Sequence, residues 1–176
     1  MKKSVLPAAI VGGIILFLIS IISWKTVYWG GVVVKNFKDE QAVEKVMREN
    51  AHESGVYVMP NVKDSQEVSS KLPVIFTGIN LEGKRPLPLV LVCSLVAKFI
   101  MAFLACWLLV HHETKMPYKK KLGFFLLIGV LVAIASKLSF FIKGYYNTSF
   151  AVYSMIAVLM QWFIAGLFMA KIIKHK

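Results

Sequence analysis

Four long apolar runs set the pattern of this chain: residues 5–24, 87–110, 122–142 and 149–170. Between the first and the second lies a long stretch, residues 25–86, where charged positions alternate with short apolar clusters. A helix rises about 1.5 Å per residue, so roughly 20 apolar residues cross the ~30 Å hydrocarbon core of a bilayer. Each run meets that length. Inside a bilayer a helix satisfies all its backbone groups within one segment, so each run is read as a helix. The pattern predicts an all-α transmembrane four-helix bundle with a small α+β extracytoplasmic cap inserted between spans 1 and 2. Three units result. Residues 1–24 hold the first span, and residues 25–86 form the cap. Residues 87–176 form a three-span region with a cytoplasmic lysine loop at 111–121.

Within the cap, residues 31–35 read as a short strand. The following FKDEQAVEKVMRENA reads as a helix. Asp39 is its N-cap, with acidic residues early and Lys45 and Arg48 late, as the helix dipole favours. Val43, Val46, Met47 and then Asn50 or Ala51 recur at helical spacing and make a thin apolar stripe. Ser54-Gly55 marks its end. Residues 56–59 and 72–78 read as strands, 61–71 as a mobile Ser-rich loop, and 81–86 as a turn into the second span. No cysteine falls in this insert, so no disulfide supports it. A unit of about 60 residues is marginal for independent folding. It is expected to lean on the membrane surface or on a partner.

Composition agrees with the pattern. Of 176 residues, 57% are hydrophobic and 17% are charged, whereas about a quarter of a soluble domain is charged. The formal net charge is +12, but the basic residues flank apolar spans as topology requires, so no nucleic-acid partner is expected. Eight of the nine acidic residues lie between Asp39 and Glu82; the ninth is Glu113. Lys2, Lys3, Lys115, Lys119, Lys120, Lys121, Lys171, Lys174 and Lys176 all fall on one side of a four-span arrangement, and Lys143 stands alone in the short opposite turn. Both termini and the lysine loop are therefore expected in the cytoplasm, and residues 25–86 outside it. The first run exceeds a signal-peptide core and lacks a small-x-small cleavage site. It leads into Trp24, Lys25, Tyr28 and Trp29, an interfacial anchor, so it is expected to remain as a span. No lipobox cysteine accompanies it.

Three polar groups break the apolar runs at depth: Lys98, Lys137 and Gln161. Lys98 lies eleven residues into its span, roughly 16 Å at helical rise and so near the midplane. It shares a face with Ser94, Met101, Ala102 and Ala105. In the third run Gly129, Ala133, Ser136 and Lys137 share a side, and in the fourth Gln161 shares one with Ser154, Ala157 and Ala165. Small and polar stripes turn toward other helices, so Lys98, Lys137, Gln161, Ser94, Ser136 and Ser154 form a candidate intramembrane polar cluster. The plainer reading is snorkelling, in which lysine buries its stem and lifts its amine toward headgroups. That serves Lys137, close to its span's end, better than Lys98. No Asp or Glu lies in any run. An interior lysine must then use backbone carbonyls, Gln161, Tyr153 or serines, or pair with something outside the chain. Without an acid or histidine in a span, proton-coupled transport is disfavoured.

Other chemistry is thin. His111, His112, Glu113 and His175 could gather near one helix end, but adjacent helical histidines diverge by about 100°, and a solvated end is the better reading. Cys93 and Cys106 are thirteen residues apart on one helix, roughly 20 Å at 1.5 Å each, and cannot pair. No nucleophile–base set, phosphate loop or paired acids appear in a span. Asp39, Glu40 and Glu44 read as a solvated face. Small-xxx-small pairs such as Ala8/Gly12, Ala9/Gly13, Ala102/Cys106, Gly129/Ala133 and Gly166/Ala170 fit close helix packing. No cofactor and no metal are expected.

The run Phe37-Lys-Asp-Glu-Gln-Ala-Val, then Asn50-Ala, then Ser54-Gly-Val-Tyr-Val-Met-Pro-Asn61, resembles uncharacterised small four-span bacterial inner-membrane proteins with a Ser-Gly-Ile/Val-Tyr-x-x-Pro segment after an outer helix. The resemblance implies that topology and a bacterial plasma membrane, and no activity. The expected function is that of a non-enzymatic accessory or assembly subunit, binding a membrane partner through its cap and bundle. That partner is another membrane protein or a second copy, with membrane lipids around both. The alternative is binding or transport of a lipid or anionic solute along a path lined by Lys98, Lys137 and Gln161.

Overall fold

The apolar runs form helices that outlast their predicted ends. A computed structural model describes residues 4–29, 33–60, 73–112 and 115–174. Helix α1 spans Val5–Trp29, α3 Leu87–His112 and α6 Thr148–Ile172. The third run is α4, Tyr118–Ala133, continued by a π-helical turn at Ile134–Leu138 and a short α5, Ser139–Ile142. All four are long and apolar enough to cross a membrane, so the protein is a mostly helical membrane protein. Short α2, Glu40–Asn50, and a hairpin of β1, Gly55–Met59, and β2, Ile75–Ile79, make up the described part of the insert.

Glycines set how the long helices meet. Gly13 of α1 lies against the backbone of Phe99 on α3, and Gly12 faces Met169 and Ala102. Gly129 of α4 receives Trp162 of α6, and Gly166 of α6 receives Phe125 of α4. Within spans, packing is gained by such close approach rather than by a hydrophobic drive between helices. The small-xxx-small pairs are therefore used inside the chain. These contacts make α1 antiparallel to α3 and α6, and α4 antiparallel to α6. Helix α1 packs on α3 and α6, and α6 packs on α4, while α3 and α4 touch only slightly.

Most of the buried core lies toward one end. Val5, Ala8 and Leu16 of α1, Ala102, Cys106 and Leu109 of α3, Phe125 of α4, and Ala165, Met169 and Ile173 around the end of α6 are all buried. This is the end to which the lysine-rich segments attach. Before Ala102, α3 has no buried residue, and its first turns, from Leu87 to Cys93, are exposed all round. Toward the insert end α3 is exposed, and α3 and α4, which touch only slightly, leave a seam between them.

Three expectations for the insert change. The Asp39 cap forms as read, its Oδ1 accepting from the Ala42 N–H at 2.9 Å. The helix, however, stops at Asn50, with the Ala51 N–H bonding Met47 O, ahead of Ser54-Gly55. Ser54 serves the hairpin base instead: its Oγ accepts from the Leu81 N–H at 3.0 Å and donates to Asn80 Oδ1 at 3.3 Å. Of the apolar stripe, Ala51 is buried and Val46 is exposed, while Val43 and Met47 are half-buried and line an open groove with residues 78–81. Of the first expected strand, residues 31–32 lie outside the described residues, Val33 and Val34 form a bend and Lys35 has irregular backbone; among the described residues the sheet has two strands only. Strands β1 and β2 pair antiparallel, Gly55 opposite Ile79 and Met59 opposite Ile75. The expected loop at 61–71 lies outside the described residues. Phe76 of β2 packs on Phe140 and Tyr145, with ring centroids at 5.2 and 4.9 Å.

Candidate functional site

The two lysines that the sequence places within spans sit on α3 and in the π-helical turn that continues α4. Lys98 and Lys137 are both half-buried, and they lie close enough for their charges to interact. Geometry explains the approach despite their different depths. A helical side chain leans toward the N-terminus of its own helix. Helices α3 and α4 run in opposite senses, so Lys98 leans toward the insert end and Lys137 leans away from it. Lys137 thus starts out pointing toward the membrane centre, not toward the nearer surface.

Lys137 sits in the π-helical turn at Ile134–Leu138. Such a turn adds a residue to the helical circuit and is common at functional sites. It also rotates the C-terminal residues of the span relative to an unbroken α-helix. Gly129 and Ala133 before the turn are buried, whereas Ser136 within it is exposed. The sequence gives no proline or glycine to announce the turn, and an unbroken period of 3.6 misplaces Ser136.

Gln161 and Ser154 lie on the buried face of α6, at 7% and 6% exposure. The Ser154 hydroxyl donates to the Ala151 carbonyl at 3.0 Å and is satisfied within its own helix. The Gln161 amide makes no hydrogen bond among the described residues. Ser94 is half-buried on α3, one turn before Lys98. The seam thus offers two ammonium groups, and the face of α6 offers one amide with spare donors and an acceptor. No acidic residue lies in any of the four spans.

Family models, characterised proteins and solved structures show no match to this chain. The reading of the seam therefore rests on its own chemistry. Elsewhere, the His111 ring stacks on Trp107 at 5.2 Å. The other members of the histidine group, the His112 side chain, Glu113 and His175, lie outside the described residues.

One residue escapes the sequence reading. In sequence Lys121 is one of the loop lysines, yet it is buried, and its Nζ donates to the Ile173 carbonyl at 2.6 Å. The available signal is Pro117, which suits a helix start and draws Lys121 into the first turn of α4.

The unmatched amide gives a prediction. A buried polar group without a partner costs about 1–3 kcal/mol. Gln161→Leu should therefore raise stability, by roughly 1–2 kcal/mol, in thermal unfolding in detergent micelles. Lower stability in Gln161→Leu would mean that the amide is already satisfied.

Proposed function

We propose that this chain is a non-enzymatic accessory subunit of a bacterial inner membrane, and that its α3–α4 seam receives an acidic group from a transmembrane partner. In this reading the four long helices form a bundle in the bilayer. The lysine-rich end, with both termini, faces the cytoplasm, as the positive-inside bias favours. Residues 25–86 form the extracytoplasmic cap and give the partner a second contact. What supports the proposal is a pair of half-buried lysines, Lys98 on α3 and Lys137 in the π-helical turn after α4, in spans that carry no acidic residue. A charge at membrane depth is costly and calls for a counter-charge. The exposed first turns of α3, residues 87–93, supply an apolar rail beside it.

A second reading comes from Gln161. Its unmatched amide on the buried face of α6 suits a small anion or lipid headgroup entering from the seam, with Lys98 and Lys137 supplying the charge. One variant addresses both. The full chain would be extracted in native-lipid nanodiscs and examined by native mass spectrometry, with wild type and Lys98→Met in parallel. The leading proposal expects a protein complex that Lys98→Met weakens at least about tenfold, the worth of one lost buried charge pair at the low end. A bound lipid or small anion lost in its place would favour the second reading. A wild-type chain that is strictly monomeric and carries neither would end both.

A further inference from the structure

We propose that a groove between the start of α4 and the end of α6 binds the phosphodiester of an anionic phospholipid. The groove is separate from the seam and does not depend on its assignment. It encloses about 680 Å³, and Lys115, Lys121, Lys171 and Lys174 line it together with Tyr118 and Ile173. Among the described residues no acidic side chain lines it. The ion pairs Lys45–Glu49 and Arg48–Glu44 lie on α2, away from the groove.

The groove has the depth of a headgroup layer. Two spans end there, one beginning at Tyr118 and the other ending at Ile172. Tyr118 donates its hydroxyl to the Leu167 carbonyl at 3.3 Å, which holds an amphipathic ring at the level where such rings gather. The walls divide by polarity. Met116, Ala170 and Ile173 make an apolar floor that suits glycerol and acyl carbons, while exposed Lys115, Lys171 and Lys174 surround the mouth. Basic pockets between spans at a membrane face suit anionic headgroups.

Two features make this more than a loose basic patch. Lys121 is buried at the groove with its Nζ held by Ile173 O. An ammonium has three donors, so two remain for an anion. The N-terminus of α4 also has no side-chain cap, since Pro117 occupies that position. The positive end of the helix dipole therefore points toward the groove without competition from a capping oxygen.

The test uses the full chain in a neutral detergent, with native mass spectrometry counting retained phosphatidylglycerol against zwitterionic phosphatidylethanolamine. Lys121 is left intact because it also holds the end of α6. The double variant K115Q/K174Q removes two groove lysines. The double variant K119Q/K120Q removes the same charge from α4 outside the groove. The proposal expects phosphatidylglycerol to be retained in preference. It expects K115Q/K174Q to weaken that retention about 25-fold, near fivefold per lysine, and K119Q/K120Q to change it about twofold or less. Equal losses in the two variants would show diffuse surface attraction and overturn the site. Inorganic phosphate that binds as well in the absence of lipid would assign the groove to a soluble phosphate ligand and overturn the lipid.

Discussion

Replacing Gly13 with valine should keep α1 from seating on α3 and lower the stability of the chain by about 3 kcal/mol or more, the upper range for overpacking a tight core. A Cβ at Gly13 would stand 2.9 Å from the Phe99 Cα and 3.2 Å from its backbone nitrogen. A side-chain neighbour could rotate away, but a backbone atom moves only if the whole helix shifts. The shift would reach Gly12, where Met169 and Ala102 meet at the centre of the core. Gly123 supplies the control. A Cβ there meets nothing within 4 Å, so Gly123→Ala should be neutral or stabilise by up to about 1 kcal/mol through helix propensity. Unfolding of both variants in the same detergent checks the contrast. Equal tolerance at the two positions would mean that α1 and α3 do not approach as described.

Lys98→Glu should have the largest effect of opposite sign. In the native chain two like charges share the seam. Reversing one turns mutual repulsion into attraction, and a seam partly shielded from water screens charges less than bulk solvent does. Both lysines are half-buried, so full low-dielectric energies do not apply. A coupling of about 0.5–3 kcal/mol is expected, the range found for neighbouring groups in double-mutant cycles. The measurement is such a cycle with Lys137→Glu. Each single variant should be more stable than wild type, and the double reversal should return to near the wild-type value because two carboxylates again repel. Absence of coupling would place the two side chains apart. Lys98→Glu should also abolish capture of an acidic partner, since the charge it would meet is now alike.

Much of the fold was legible because span length and apolarity are local properties. Residues 5–24, 87–110, 122–142 and 149–170 were all recovered as helices, extended by a few residues into their polar flanks. The Asp39 cap was legible for the same reason, since a capping carboxylate acts within one turn. The end of α2 was not. Ser54-Gly55 has the composition of a helix stop, but Ser54 is bound to Asn80 and Leu81, more than 25 residues away in sequence. Lys121 likewise reads as one of a run of loop lysines, because nothing in KKK distinguishes the one that faces the end of α6.

The candidate site divides in the same way. Lys98, Lys137 and Gln161 are legible in the sequence, because a polar residue in an apolar run is visible without any partner. Their surroundings were not visible. Whether Lys137 leans outward or inward depends on the sense of its helix and on the π-helical turn that carries it. Whether Gln161 is satisfied depends on what faces α6 from its neighbours.

The amino-acid order alone thus dictates that four helices are built to cross a membrane, that one polar insert separates the first from the rest, and that the spans contain cations without anions. Each of these properties comes from composition within a segment of about 20 residues, the length scale of the bilayer. Packing in three dimensions settles where the core lies, that α3 and α4 touch only slightly, and that Lys121 turns to the end of α6. Those outcomes depend on which glycine admits which neighbour, as Gly13 admits Phe99 and Gly129 admits Trp162. Close packing is a relation between segments far apart in the chain, and no local pattern records it.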